Sequence, residues 1–489
     1  MNMVSPDAGA GGAGGVDDGG IDINIDPALA GGAGGGDPNA APPPADPNAT
    51  VSDERLKNKE ENHNVKKDQP EDLKALIERL AKKYAIDLDA GSEEIEESEP
   101  EKEEVAEEGT TTEDPEKDSE PPIPTDPKGT TVEEEKETMV ARIAELSQAP
   151  GASGFEDDVI GILRRYCQDL GEIREDSLRN LYVYPKENRG NPVIMLDAHT
   201  DEVGFMVQRI CPDGTLGFVP LGSWSPVCVP AHPVLVHTPK GYIPGIIASK
   251  PPHYMTEAER SALPKLTDLV IDVGAVSRED ALTNFGVRIG EPVVPDTPFR
   301  YIENQDVLYG KAFDCRIGCA AQVAVLEALK GKSLAMDVVG VFSAQEEIGI
   351  RGARVTAKTV KPAVAVLFEG SPGDDTFGNP ETAQTALKKG PMLRHIDAGM
   401  ITNPRFQRFA LGIGEELGLP VQQGVRTGGS TNGAGLHLSN QGLPVIVIGL
   451  PVRYIHTHCG FAAYQDFEHA VKLGIAIIER LTPEIIAGF

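Results

Sequence analysis

Val193-Ile194-Met195-Leu196-Asp197-Ala198-His199-Thr200-Asp201-Glu202-Val203-Gly204 reads as a buried strand that stops at a histidine. An aspartate follows two residues later. A strand ending in His-x-Asp sets an imidazole at the carboxyl edge of a sheet, where α/β proteins place ligands. The nearby carboxylate can fix the tautomer and orientation of a metal-binding imidazole. A histidine at a strand end can equally be a hydrogen-bonded structural residue. The stretch alone does not separate the two readings; the later chain has to supply matching ligands.

Upstream of this strand, Glu133 to Leu146 has the texture of a helix. Ser153-Gly154-Phe155-Glu156 has the pattern of a capping box. Phe155, Val159, Ile162, Leu163, Tyr166 and Leu170 then recur at helical spacing. Strands are expected at Leu181–Tyr184 and Val193–Leu196. Helix followed by strands points to an α/β layered core. From about 207 to 303 the texture changes to short apolar runs divided by Gly and Pro, such as Pro233–His237, Tyr242–Ala248 and Leu269–Val273. That region reads as a small β-barrel or sandwich inserted into the main domain. The α/β texture resumes near 304. Helices are expected over Ile317–Leu329, Pro404–Leu417 and Gln465–Leu481, and strands over Val338–Phe342, Ala363–Phe368 and Val445–Ile448.

The first 130 residues are of another kind. They hold 12 Lys and Arg against 33 Asp and Glu, while the rest of the chain carries a balance of only −10. Their Gly-, Pro- and Glu-rich composition buries too little apolar surface to offset the entropy of ordering, so disorder is expected. Within them Leu73, Leu76, Ile77, Leu80 and Tyr84 form one helical stripe behind Pro70. This predicts a short amphipathic helix over 70–88, either a docking element for a partner or a transient helix without one. The acidic balance argues against nucleic acid and anionic membranes. No run of 18 apolar residues and no secretory signal is visible, so a cytoplasmic protein is expected. Six scattered Cys without a CxxC pair read as core thiols in a reducing compartment.

Four later stretches can be set beside His199. Ala312-Phe313-Asp314-Cys315-Arg316-Ile317-Gly318 puts an aspartate at a loop leading into a helix. Val341-Phe342-Ser343-Ala344-Gln345-Glu346-Glu347-Ile348-Gly349 sets two carboxylates just after an apolar strand. Val366-Leu367-Phe368-Glu369-Gly370 is another strand ending in a carboxylate. Val452-Arg453-Tyr454-Ile455-His456-Thr457-His458 places a second histidine shortly after a strand. Each has an ordinary reading: a solvated loop for Glu346-Glu347, a helix cap for Asp314, a turn for Glu369 and a hydrogen-bonded loop residue for His456. Adjacent buried carboxylates are costly without compensation, and divalent cations would supply it. Five such positions at element ends of one α/β domain are hard to explain separately.

These motifs, in this order, together with Ala149-Pro150-Gly151-Ala152-Ser153-Gly154-Phe155-Glu156, resemble those of the glutamyl and tetrahedral aminopeptidases, a family of dinuclear metallopeptidases. The resemblance covers about 133 to 489. It implies a three-layer α/β/α sandwich catalytic domain, residues 131–206 and 304–489, with an inserted β-barrel domain at 207–303. It implies two divalent ions, zinc or cobalt. By position, Asp314 would bridge both, His199 and Glu369 would complete one site, and Glu347 and His456 the other. Glu346 would be the general base and Asp201 the partner of His199. Two metals sharing a carboxylate lower the pKa of a trapped water and polarise the scissile carbonyl. Mixed His and carboxylate ligation suits Zn²⁺ or Co²⁺ better than Mg²⁺. The resemblance also implies peptide substrates and a homo-oligomer of the tetrahedral dodecamer kind.

Departures from the family pattern are specific. Glu369 stands where the family usually has Asp, and Cys315 where Asp is frequent. Gly428-Gly429-Ser430-Thr431-Asn432 has Asn for Asp in a Gly-Gly-Thr-Asp-like loop. The leader lies outside the usual pattern. Two alternatives to an aminopeptidase stay open: a related co-catalytic deacylase or carboxypeptidase, and a non-catalytic scaffold that retains the fold.

Overall fold

The computed structural model describes residues 131–379 and 381–489. The helix expected over 70–88 lies outside these residues. Helix α1 (Val132–Gln148) starts at a capping box: the Thr131 hydroxyl accepts from the Glu134 N–H, and the Glu134 carboxylate accepts from the Thr131 N–H. The box expected at Ser153–Glu156 does not form. Helix α2 (Asp157–Cys167) begins after Glu156 with no side-chain cap, and neither Phe155 nor Leu170 belongs to it. Ser153 gives its hydroxyl to Asp201 instead, and Glu156 accepts the N–H groups of Gly154 and Gln345. Tertiary hydrogen bonds override the local pattern there.

Strands β1 (Gly171–Glu175), β2 (Leu181–Pro185) and β3 (Val193–His199) follow. Then β4 (Gly204–Ile210), β5 (Leu216–Leu221), β6 (Pro233–Thr238), β7 (Gly241–Ile247), β8 (Val270–Asp272) and β9 (Pro292–Pro295) close into a barrel in the order β4-β5-β8-β7-β6-β9. Closure removes the open sheet edges that a small sandwich would leave exposed. The barrel has its own core, with Phe205, Phe218, Val234, Ile271 and Val293 buried together.

The chain continues through β10 (Arg300–Ile302), β11 (Val307–Gly310), α3 (Phe313–Leu329), β12 (Asp337–Ser343), α4 (Arg351–Val360) and β13 (Val364–Pro372). It ends through β14 (Met392–Ile396), α5 (Pro404–Glu416), β15 (Gln422–Val425), the single turn α6 (Gly433–Leu436), β16 (Val445–Val452), β17 (Gly460–Ala463) and α7 (Tyr464–Arg480), with one further short turn after α7. The main sheet has eight strands in the order β1-β2-β12-β3-β13-β16-β14-β15. Its centre, β12-β3-β13-β16, is parallel. A parallel sheet needs cover on both faces, which is why these strands are almost continuously apolar. Ile194, Leu196 and Ala198 of β3 pack into one buried cluster with α1, α2, α3, α5 and α7. Met195 joins a second cluster with residues of α4 and α6. A small antiparallel sheet, β10-β11-β17, carries the chain back after the second histidine.

The register aligns the chemistry. Ser343 pairs with His199, and Leu367 with Asp197, so the end of β12, the end of β3 and the middle of β13 reach one sheet edge. Two expectations need adjustment. Glu369 lies inside β13, which runs on to Pro372, rather than ending the strand. Helix α3 starts at Phe313, not Ile317, but its backbone is non-helical at Asp314 and Cys315. Asp314 therefore sits on a break that turns its carboxylate out of the helical path. Among the described residues, no helix is long and apolar enough to cross a membrane.

Candidate active site

The strand ends bring His199, Asp314, Glu346, Glu347, Glu369 and His456 together. Asp314 is the centre. Its Oδ1 lies 3.0 Å from His199 Nε2, and its Oδ2 lies 3.3 Å from His456 Nε2. Glu369 Oε1 is 3.2 Å from the same nitrogen of His199. Glu347 Oε2 is 3.5 Å from His456 Nε2. Candidate ligand atoms fall into overlapping groups whose members all lie within 4.8 Å: His199, Asp314, Cys315 and Glu369; His199, Glu346 and Glu347; Asp314, Glu347 and His456. Asp201 is adjacent. Its backbone carbonyl is 3.1 Å and its Oδ1 3.3 Å from His199 Nδ1, which leaves Nε2 facing Asp314 and Glu369.

Charge balance in this cluster is poor. Burial pushes the carboxyl of Glu369 up to about 7, against the pull of His199. Burial likewise holds Glu346 and Glu347 well above the usual carboxylate range, helped by the neighbouring Asp314 and Glu369 charges for Glu346 and by Asp314 for Glu347. Asp314 is also desolvated, but the imidazoles on its two oxygens outweigh this and hold it low. Burial opposes a charge on His199, yet Glu369, Asp201 and Asp314 raise its pKa well above 6.5. Glu347 Oε1 is buried with no hydrogen-bond partner among the described residues. An orphaned carboxylate oxygen beside three more acidic groups and two imidazoles fits divalent cations, which would neutralise the charge and occupy the free lone pairs.

The supporting contacts extend beyond the residues expected from sequence. Asp201 accepts from the N–H groups of Glu346 (2.8 Å) and Glu347 (3.1 Å) and from the Ser153 hydroxyl (2.6 Å). These contacts, with its hydrogen bond to His199, hold its pKa below the ordinary value despite complete burial. Glu156, pushed up to about 7 by burial and by Asp201, fixes the Gln345 N–H next door. Below the site, the fully buried Lys311 pairs with Glu202 at 2.6 Å, and Glu202 accepts the Gly151 N–H. Several turns here adopt left-handed backbone at non-glycine residues: Ala312, Gln345, Tyr454 and His456, with φ between 55° and 63°. Such conformations persist where surroundings over-determine them, and they concentrate at functional sites.

A cavity of about 400 Å³ opens beside the cluster. Its wall includes Asp314, Glu346, Glu369 and His456, and also Arg394, Arg426 and Ser430. Arg394 pairs with Asp397 (3.1 Å) and Arg426 with Asp374 (2.9 Å), while the buried Nε of each is without a partner among the described residues. The Gly428–Asn432 loop thus lines the cavity at Gly428, Gly429 and Ser430. Asn432 itself points away from it, donating to Asp197 and Ser343 at 2.7 Å each. Cys315 is fully buried, and its thiol donates to the Phe368 carbonyl. Neither arginine stood out in the sequence: Arg394 lies within the five-residue β14 and Arg426 just after β15, and neither ends an apolar run.

Known proteins resemble this chain in sequence and in fold. A family model, M42 glutamyl aminopeptidase, matches residues 179–473. The glutamyl aminopeptidase of Lactococcus lactis is 33% identical over 350 residues, 71% of this chain and 97% of that protein. The crystal structure of a TET aminopeptidase from a marine-sediment Thaumarchaeota archaeon is 37% identical, covers 72% of this chain and 99% of its own, and superposes with a TM-score of 0.69. The TET1 peptidase of Pyrococcus horikoshii, described as assembling into a tetrahedron or a large octahedral shell, is 28% identical over 70% of this chain and 100% of its own, with a TM-score of 0.64. On this match in sequence and fold, the chain belongs to the M42 glutamyl aminopeptidase family and is an aminopeptidase, a hydrolase.

Proposed function

We propose that the protein is a dinuclear metal-dependent aminopeptidase in which Glu346 is the general base. The observation that carries this reading is Asp314, a single carboxylate with a different imidazole 3.0 and 3.3 Å from its two oxygens. In this reading two divalent ions, Zn²⁺ or Co²⁺, would be held by Asp314 in common, with His199 and Glu369 for one and Glu347 and His456 for the other. Such ions, when bound, supply a lowered pKa for the attacking water and polarisation of the scissile carbonyl. Asp201 orients His199 and pins the backbone of Glu346 and Glu347. Glu346 takes the proton from the water and delivers it to the leaving amine.

Arg394 and Arg426, which line the same cavity and each pair with an aspartate, favour a substrate whose N-terminal residue is acidic, because a guanidinium matches a carboxylate in charge and geometry. The name of the Lactococcus lactis relative points the same way. The helices on both faces of the main sheet support the three-layer reading, with 207–303 as the inserted barrel domain between 131–206 and 304–489. The TET1 relative supports a homo-oligomer, with a tetrahedral dodecamer as its form. The deciding experiment is Glu346→Gln. The variant should bind the same two equivalents of metal while turnover of glutamyl p-nitroanilide falls by about 10²–10⁴-fold. Unchanged turnover would rule out Glu346 as base.

A further inference from the structure

The turn that presents His456 also carries His458, which has no part in the reading above. Its ring is 1% exposed, and neither ring nitrogen has a hydrogen-bond partner among the described residues. The ring stacks face to face on His232, with centroids 4.1 Å apart and planes within 8°. Trp224 packs against it at 4.9 Å and Phe205 stands at 6.4 Å. All three partners belong to the barrel: Phe205 to β4, Trp224 and His232 to the connection between β5 and β6. The His458 carbonyl accepts from the hydroxyl of Thr297, two residues after β9, at 2.8 Å. The barrel therefore grips this turn through a side chain and through its backbone. Tyr454 and His456 adopt left-handed φ of 63° and 57° in the same turn. A turn bent in that way has to be held from outside.

We propose that His458 is a positioning residue, and that its aromatic seat on the barrel fixes the turn that aims His456 at Asp314 and Glu347. The barrel thereby acts on one half of the metal centre. This rests on His456 being a metal ligand. Because both nitrogens lack partners, the flat ring and its stacking carry the effect, and a phenyl ring should serve as well.

The test is metal stoichiometry and affinity for Zn²⁺, measured on the full-length protein by native mass spectrometry and chelator competition. Wild type should hold two ions. His458→Ala should keep one and bind the other at least tenfold more weakly, while His458→Phe should return to wild-type affinity. His232→Ala, made on the barrel side, should reproduce His458→Ala, and the double variant should lose nothing more. It also carries the test should His458→Ala not fold. The inference is overturned if His458→Ala and His232→Ala hold both ions at wild-type affinity, or if His458→Phe fails as His458→Ala does. His456→Ala separates the two levels. If it loses an ion and His458→Ala does not, only the positioning role falls. If it keeps both at wild-type affinity, the metal reading falls and the positioning role with it.

Discussion

Asp201 and Arg426 show how single side chains divide the labour. Asp201 uses both carboxylate oxygens and its backbone carbonyl on four partners: His199, Ser153, Glu346 and Glu347. Its place beside His199 was legible in the sequence, because it follows that histidine by two positions at a strand end. The other three contacts were not, since Ser153 is 48 residues away and looked like a helix cap. Arg426 is the residue on which substrate preference can be read. It is partly exposed and lines the cavity, with its terminal nitrogens on Asp374, Thr385 and the Pro372 carbonyl. A hydrogen bond to a charged group is worth about 1.5–3 kcal/mol, and its loss should lower the preference for glutamyl over leucyl substrates by roughly ten- to a hundredfold in Arg426→Gln. The comparison of kcat/KM on the two p-nitroanilides gives the ratio directly. A ratio equal to wild type would take Arg426 out of substrate recognition. The stretches bearing His199, Glu346-Glu347 and Glu369 were visible because each joins an apolar strand to a charged residue. The arginines have no such frame.

Among elements, the crossing of α3 over β13 sets the site's tolerance. A Cβ on Gly370 would lie 2.8 Å from the Cα of Asp314, and one on Gly318 would lie 2.8 Å from the carbonyl oxygen of Phe368. Two backbones meet there with only hydrogens between them, which requires glycine on each. Gly370→Ala must push Asp314 or the strand aside. It should destabilise the protein by about 1–3 kcal/mol, as overpacking generally does, and reduce the metal bound per chain. Thermal unfolding and metal analysis would check both, and wild-type values in both would mean the strand yields without disturbing Asp314. Strands β3, β12, β13 and β16 could be read in the sequence because burial on both faces makes them continuous apolar runs. β14, with Arg394 and His395 in its five residues, and α4, with three basic residues in ten, carry no such signal. The start of α3 was misjudged because the non-helical step at Asp314 serves the site and leaves no trace in periodicity.

For the molecule as a whole, the balance between its buried carboxyls and the ions they would hold makes stability a function of pH and metal together. In the metal-free protein, burial lifts Glu369 to about 7 and Glu346 and Glu347 well above their ordinary 4.5. The folded state then binds protons that the unfolded chain has already released. Stability from these groups is fully present below about pH 4.5 and is lost as pH rises, through about 7 for Glu369. His199, raised by Glu369, Asp201 and Asp314 against its burial, acts in the same direction above pH 6.5. Asp314, lowered by its two imidazoles against its burial, works the opposite way, but its contribution is lost only below 3.8 and leaves the neutral range unaffected. Bound cations reverse the slope, because they need deprotonated ligands and stabilise only the folded state. At a hundred times the dissociation constant this is worth about 2.7 kcal/mol. The thermal midpoint of protein stripped by EDTA should therefore fall between pH 5 and pH 8, while that of Zn²⁺-loaded protein holds or rises, and the gap between them should widen with pH. Calorimetry on both forms at unit pH steps measures it. A gap independent of pH, or a stripped protein that grows more stable toward pH 8, would mean that these carboxyls are not the uncompensated charges their burial makes them.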